Sequence, residues 1–189
     1  MAFDDLDAWR AWLAAHHASS RGVWLISNRK ASGLPRIEED DAICEALCFG
    51  WIDSLPRRLD DTRSMLLFTP RKPRSAWSKI NKARVDRMIE AGRMRAAGLA
   101  KVEAAKATGL WEKLDGVERL ETPADLAAAF ARHPGAAAHF EAFPRSAKRG
   151  ILEWILNAKG IETRAKRIEE TARLAAENMR ANQWRGPKP

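Results

Sequence analysis

Hydrophobic and polar positions follow two different periods along the chain, and the change of period divides it. Leu6, Trp9 and Leu13 recur at helical spacing behind Asp4 and Asp5, whose carboxylates favour a helix start, so a helix is predicted to about His17. Ser19 to Gly22 is loop. Val23 to Ser27 is a short apolar run that reads as a strand, stopped by the turn-forming Ala31-Ser32-Gly33-Leu34-Pro35. Glu38 to Asp41 charge the start of a second helix, with Ile43, Leu47 and Gly50 turned toward the sheet. Trp51 to Arg58 and Ser64 to Thr69 form a predicted hairpin around Leu59-Asp60-Asp61-Thr62, and Pro56 makes its first strand an edge strand or a short one.

From Ser78 onward the period is helical throughout. Ser78 is a predicted N-cap, Val85, Met88 and Ile89 form an apolar stripe, and Gly92 ends that helix. An alanine-rich helix follows from Ala96 to Thr108. Glu112 to Glu121 reads as a linker, after which Thr122-Pro123 opens one helix, His133-Pro134 a short turn, and Ser146 a helix bearing Ile151, Trp154 and Ile155. A last helix is predicted from Glu162 to Asn178, with Ile168, Ala172, Ala175 and Met179 inward. The predicted fold is α+β: a small antiparallel sheet of about three strands with helices, then a helical C-terminal half. The expected domains are 1–111 and 122–179, with 180–189 as a flexible tail.

Composition adds a charge asymmetry. The 189 residues carry a formal charge of +8, divided as −3 over residues 1–70, +7 over 71–120 and +4 over 121–189. A basic middle behind an acidic front points to an anionic partner or to a solvated basic surface. The N-terminus is acidic where a signal peptide is basic, and no run of about 18 apolar residues exists, so no membrane span and a cytoplasmic location are expected. Cys44 and Cys48, one helical turn apart, suit buried reduced thiols. A single CxxxC lacks the ligands of a zinc site, and Gly-rich phosphate loops, nucleophile elbows and HExxH are missing. No catalytic residue, metal site or cofactor is therefore assigned.

The candidate chemistry lies after the hairpin. Arg71, Lys72, Arg74, Lys79, Lys82 and Arg84 fall within 14 residues that contain no carboxylate. Pro70 and Pro73 stiffen this loop, and the helix start at Ser78 offers free N–H groups, so Arg71, Lys72, Arg74, Trp77, Ser78, Lys79 and Lys82 form a candidate anion site. Within it Trp77 is either a stacking platform or a core anchor. Glu45 and Asp53 are candidate polar partners for such a ligand; Asp53 alternatively bridges Arg57 or Arg71. In the last helix Glu162 and Lys166 are spaced as an i,i+4 pair, and Lys159, Arg164 and Arg167 add surface charge.

Glu45-Ala46-Leu47-Cys48-Phe49-Gly50-Trp51-Ile52-Asp53, Phe68-Thr69-Pro70-Arg71 and Trp77-Ser78-Lys79-Ile80-Asn81 resemble the bacterial YdeI/OmpD-associated family. The likeness continues in Gly92-Arg93-Met94 and in Trp154-Ile155, Ala158-Lys159 and Glu162 to Ile168; Gly160-Ile161 departs from the pattern. The resemblance implies a stress-tolerance role in bacteriocin protection and resistance to cationic antimicrobial peptides, with association to an outer-membrane porin. It carries no catalytic residues. The expected function is a non-catalytic protein of this type binding a small anion or acidic protein partner through the basic loop. The alternatives are a nucleic-acid-binding protein and an enzyme acting on a small anionic substrate.

Overall fold

The structure, a computed structural model, describes residues 1–183, so the last part of the expected tail, 184–189, lies outside the described residues. The chain forms two compact units, Met1–Lys113 and Leu114–Pro189. The fold is α+β, with the strands confined to the first unit.

In the first unit, α1 (Leu6–His16) starts where Asp5 accepts a hydrogen bond from Ala8 N at 2.8 Å. Strands β1 (Val23–Asn28), β2 (Trp51–Arg58) and β3 (Arg63–Pro70) make an antiparallel sheet in the order β1-β3-β2. The hairpin turn is held by Asp60, which accepts from Thr62 N and Arg63 N. Pro56 does lie on an edge strand, and β2 bulges between Asp53 and Pro56. The sheet's inner face packs through Phe68 on Trp9, their ring centroids 5.1 Å apart. Two of the buried indoles of this core find acceptors, Trp9 on Ala42 O at 3.1 Å and Trp51 on His17 O at 3.0 Å.

Helix α2 (Glu39–Cys48) departs from the expected amphipathic pattern. Every residue from Ala42 to Cys48 is buried, so α2 is a central helix rather than one resting a single face on the sheet. It is enclosed by α1, β2, α3 (Lys79–Glu90) and α4 (Ala96–Ala107). Two glycines permit this. Gly50, at φ +76°, lets the chain leave α2 and enter β2 directly. Gly98 lies against the carbonyl end of α2, where a Cβ would stand 2.6 Å from Leu47 O and closer still to Cys48 O. In α3, Val85 and Met88 are buried as expected, but Ile89 is 47% exposed.

The second unit is helical: α5 (Asp115–Glu118), α6 (Ala124–Arg132), α7 (Ala136–Ala142), α8 (Arg145–Leu156) and α9 (Ile161–Ala176). The expected linker 112–121 is not one: α5 lies in it, and Leu114 and Val117 are buried. Pro123 and Pro144, not Thr122 and Ser146, occupy the N-cap positions of α6 and α8. Helix α9 contacts α6, α7 and α8, burying Ile168, Ala172 and Ala175 against Phe140, Ile151 and Ile155. Met179 is 38% exposed, beyond the end of that stripe.

Gly98→Ala should destabilise the protein by about 1–3 kcal/mol, because the added methyl meets backbone that cannot swing aside. Denaturant unfolding of the variant beside the wild type measures it; an unchanged midpoint would count against the close α4–α2 approach.

Candidate functional site

Arg71 follows directly on β3, and its backbone N–H donates to Gly50 O at 2.9 Å. That bond turns the side chain inward. The guanidinium donates to Ala76 O and Ser75 O, and its carbon lies 3.8 Å from the Trp77 ring centroid. Arg71 is 5% exposed, and burial pushes its guanidinium down to about 10 while the charge of Asp53 partly opposes this. Its Nε is buried with no hydrogen-bond partner among the described residues. Arg71 thus ties residues 71–77 into a closed loop and presents no fork to an incoming ligand.

The other predicted residues divide. Trp77 is 2% exposed, packs on Trp111 with centroids 5.0 Å apart and donates its backbone N–H to Leu110 O, so it anchors the loop and offers no face for stacking. Ser78 spends its hydroxyl on Asn81 N, as the N-cap of α3. Lys82 lies 5.5 Å over Trp111. Arg84 is bridged at 2.7 Å to Asp40, on α2, which also binds Arg87. Lys72, Arg74 and Lys79 are exposed and make no ion pair among the described residues. The six cations therefore share a sequence but not a surface.

Glu45 is 1% exposed and held by two arginines that local sequence does not reveal. Arg10, from α1, and Arg93, beyond α3, each bind one of its oxygens, Arg93 through Nε at 2.9 Å, and Arg10 also donates to Arg93 O at 2.9 Å. A carboxylate neutralised on both oxygens is a structural centre, not a general base. Asp53 forms no ion pair with Arg57 or Arg71, and no hydrogen bond joins it to Glu45. Beside Glu45, burial pushes the Cys48 thiol up to about 11 and raises Cys44 as well, which keeps both protonated and unreactive at neutral pH.

A cleft of about 460 Å³ opens over this centre, lined by Asp5, Leu6, Asp7, Asp41, Cys44, Glu45, Arg87, Met88 and Arg93. Asp5, Asp7 and Asp41 are exposed and free of ion pairs among the described residues, so the rim is acidic above a neutralised floor. Among those residues no group of three or more His, Cys, Asp or Glu is placed to hold a metal ion. In the second unit Arg164 grips Asp125 with two bonds of 2.6 and 3.0 Å, and Arg167 lies 4.9 Å over Trp154. The Glu162–Lys166 pair is not made.

Glu45→Ala should cost about 3–5 kcal/mol in denaturant unfolding, since it leaves two arginine charges without their buried partner. Asp40 is a pH-sensitive contributor. The guanidiniums of Arg87 and Arg84 hold its carboxyl below the ordinary value of 3.8, so the stability it adds is complete above that value and fades as pH falls through the depressed one. The stability gap between wild type and Asp40→Asn should therefore close on acidification; a gap independent of pH would contradict the pairing.

A family model described as "Domain of unknown function (DUF8412)" matches residues 1–101, and one described as "Bacteriocin-protection, YdeI or OmpD-Associated" matches residues 119–178. The second match covers the C-terminal motifs of the resemblance; the motifs between Glu45 and Asn81 fall within the first. Neither the curated proteins nor the solved structures yield a match. Through more than half of its length the chain belongs to the DUF8412 domain family, and its residues 119–178 are similar to the YdeI/OmpD-associated, bacteriocin-protection family.

Proposed function

We propose that the protein acts, without catalysis, in tolerance of bacteriocins or cationic antimicrobial peptides, and that it holds an anionic ligand or acidic partner on Lys72, Arg74 and Lys79. The family of residues 119–178 supports the role. One observation carries the binding part: Arg71 is held within the loop, while the three exposed cations have no ion-pair partner among the described residues. The start of α3, a helix of 12 residues capped by Ser78, adds its partial positive charge beside them. An acidic protein surface suits this display better than a small anion, because the one buried guanidinium is already engaged with carbonyls.

The acidic cleft favours a second reading. A cationic peptide is repelled by the loop but attracted by Asp5, Asp7 and Asp41, so direct sequestration would take place there. One complementation experiment separates the two. In a strain lacking the gene, the wild-type copy should restore growth in a synthetic cationic amphipathic peptide, and so should a copy with Asp5→Asn, Asp7→Asn and Asp41→Asn. The copy with Lys72→Glu, Arg74→Glu and Lys79→Glu should not. The opposite pattern moves the function to the cleft, and a deletion that leaves peptide and bacteriocin sensitivity unaltered removes the role.

A further inference from the structure

The sheet of the first unit has a second face, and its composition is unusual for a surface left part-exposed. In antiparallel register Trp24 lies opposite Leu67, Ile26 opposite Met65, and Met65 opposite Arg57. Partners across a ladder point to the same side, so these five side chains share the face opposite Leu25 and Phe68, which are buried. Trp24, Ile26, Met65 and Leu67 are all only half-buried, and Leu55, in the bulge of β2, is 43% exposed. Arg57 reaches from β2 across β3 to lie 5.2 Å from the Trp24 ring centroid. It makes no ion pair among the described residues, whereas its neighbour Arg58 and the facing strand's Arg63 are paired with Asp61 and Asp60.

The edges of this sheet are less inviting than its face. Ile26 N donates to Met1 O at 2.8 Å, so the N-terminal residues already pair with β1. On the other side, Pro56 and the bulge interrupt β2. Recognition by strand addition is thus hindered at both edges, and what remains is an apolar floor with one uncompensated guanidinium over it.

We propose that this outer face docks an acidic amphipathic segment of another protein, its apolar side chains on Trp24, Ile26, Met65 and Leu67 and a carboxylate on Arg57. Charge complementarity selects the occupant. A second copy packed face to face presents the same five side chains, which offer Arg57 no carboxylate. Single-stranded nucleic acid needs aromatic faces for successive bases; the patch has one indole, and Arg57 already covers it. A carboxylate satisfies Arg57 where it stands, accepting from two parallel N–H groups of the guanidinium. This surface does not include the basic loop, so the proposal stands or falls apart from the reading above.

The test uses the full chain with labelled Ile, Leu and Met methyl groups, titrated with a synthetic amphipathic helical peptide carrying Leu on one face and Glu beside it. A twin peptide carries Lys in place of Glu. The Glu peptide should shift the methyls of Ile26, Met65 and Leu67 and bind at least about tenfold tighter than its Lys twin, a difference of about 1.4 kcal/mol. Arg57→Glu should reverse that order, and Arg57→Gln should abolish it while leaving the spectrum otherwise folded. Equal binding of the two peptides, or shifts confined to other methyls, overturns the proposal. So do shifts of these methyls on simple dilution, which would mean a second copy, or shifts produced by an oligothymidylate and not by the peptide.

Discussion

A carboxylate in the middle of a helix buried on every side has to be neutralised where it stands, and Glu45 sets this requirement for the whole first unit. Leaving water costs an ion several kcal/mol even after the surroundings relax, and only close, hydrogen-bonded partners offset it. Arg10 and Arg93 supply them, and each comes from a different part of the chain, so α1 and the segment after α3 are tied to α2 through a single side chain. Asp40, one turn back and partly exposed, repeats the device with Arg84 and Arg87 on α3. Both pairings draw on arginine, whose planar fork keeps its bonds through small adjustments of packing. The glycine at 98 then lets α4 close over the carbonyl end of α2.

The same constraint decides which positive charges are left for other molecules. Of the 33 Lys and Arg, several are engaged internally: Arg84 on Asp40, Arg93 and Arg10 on Glu45, Arg164 on Asp125, Arg149 on Glu118 and Glu153. Arg71 is a different case, since it is matched with carbonyls and an indole, with no carboxylate bonded to it. Such a group fixes backbone geometry at the cost of burying a charge, and the depression of its pKa by burial expresses that cost.

Much of the fold was legible in the sequence because its signals are local. The hairpin around Asp60, the edge position of Pro56 and the cap at Ser78 each depend on a few neighbouring residues. The failures share a cause. Ile89 and Met179 fit a helical stripe, but whether a stripe is covered at its end depends on what packs there. The stretch 112–121 has the composition of a linker, yet Val117 finds a core assembled from residues further along the chain. Thr122 and Ser146 are good capping residues passed over because Pro123 and Pro144 enter the helices at a compatible angle. At the candidate site, a run of 14 residues without a carboxylate appears unneutralised only until α2 brings Asp40 beside Arg84. Glu45 reads from the sequence as a polar partner for a ligand, because the two arginines that hold it are brought there by tertiary packing alone.

The uncompensated cations that remain differ in a way that bears on what they can bind. Lys72, Arg74 and Lys79 stand in water, where an ion pair with a partner is screened within about 10 Å at 0.1 M salt and contributes chiefly to the rate and orientation of encounter. Arg57 is exposed as well, but its guanidinium lies 5.2 Å from the Trp24 ring centroid, beside apolar neighbours that a docked partner would shut off from water. A carboxylate meeting it there forms its bond in a less polar setting, where pairing is stronger and where leaving the charge unpaired is also more costly. A partner that used both surfaces would be steered by the first and selected by the second, and its own sequence would have to combine a spread of acidic residues with an apolar stripe interrupted by one carboxylate.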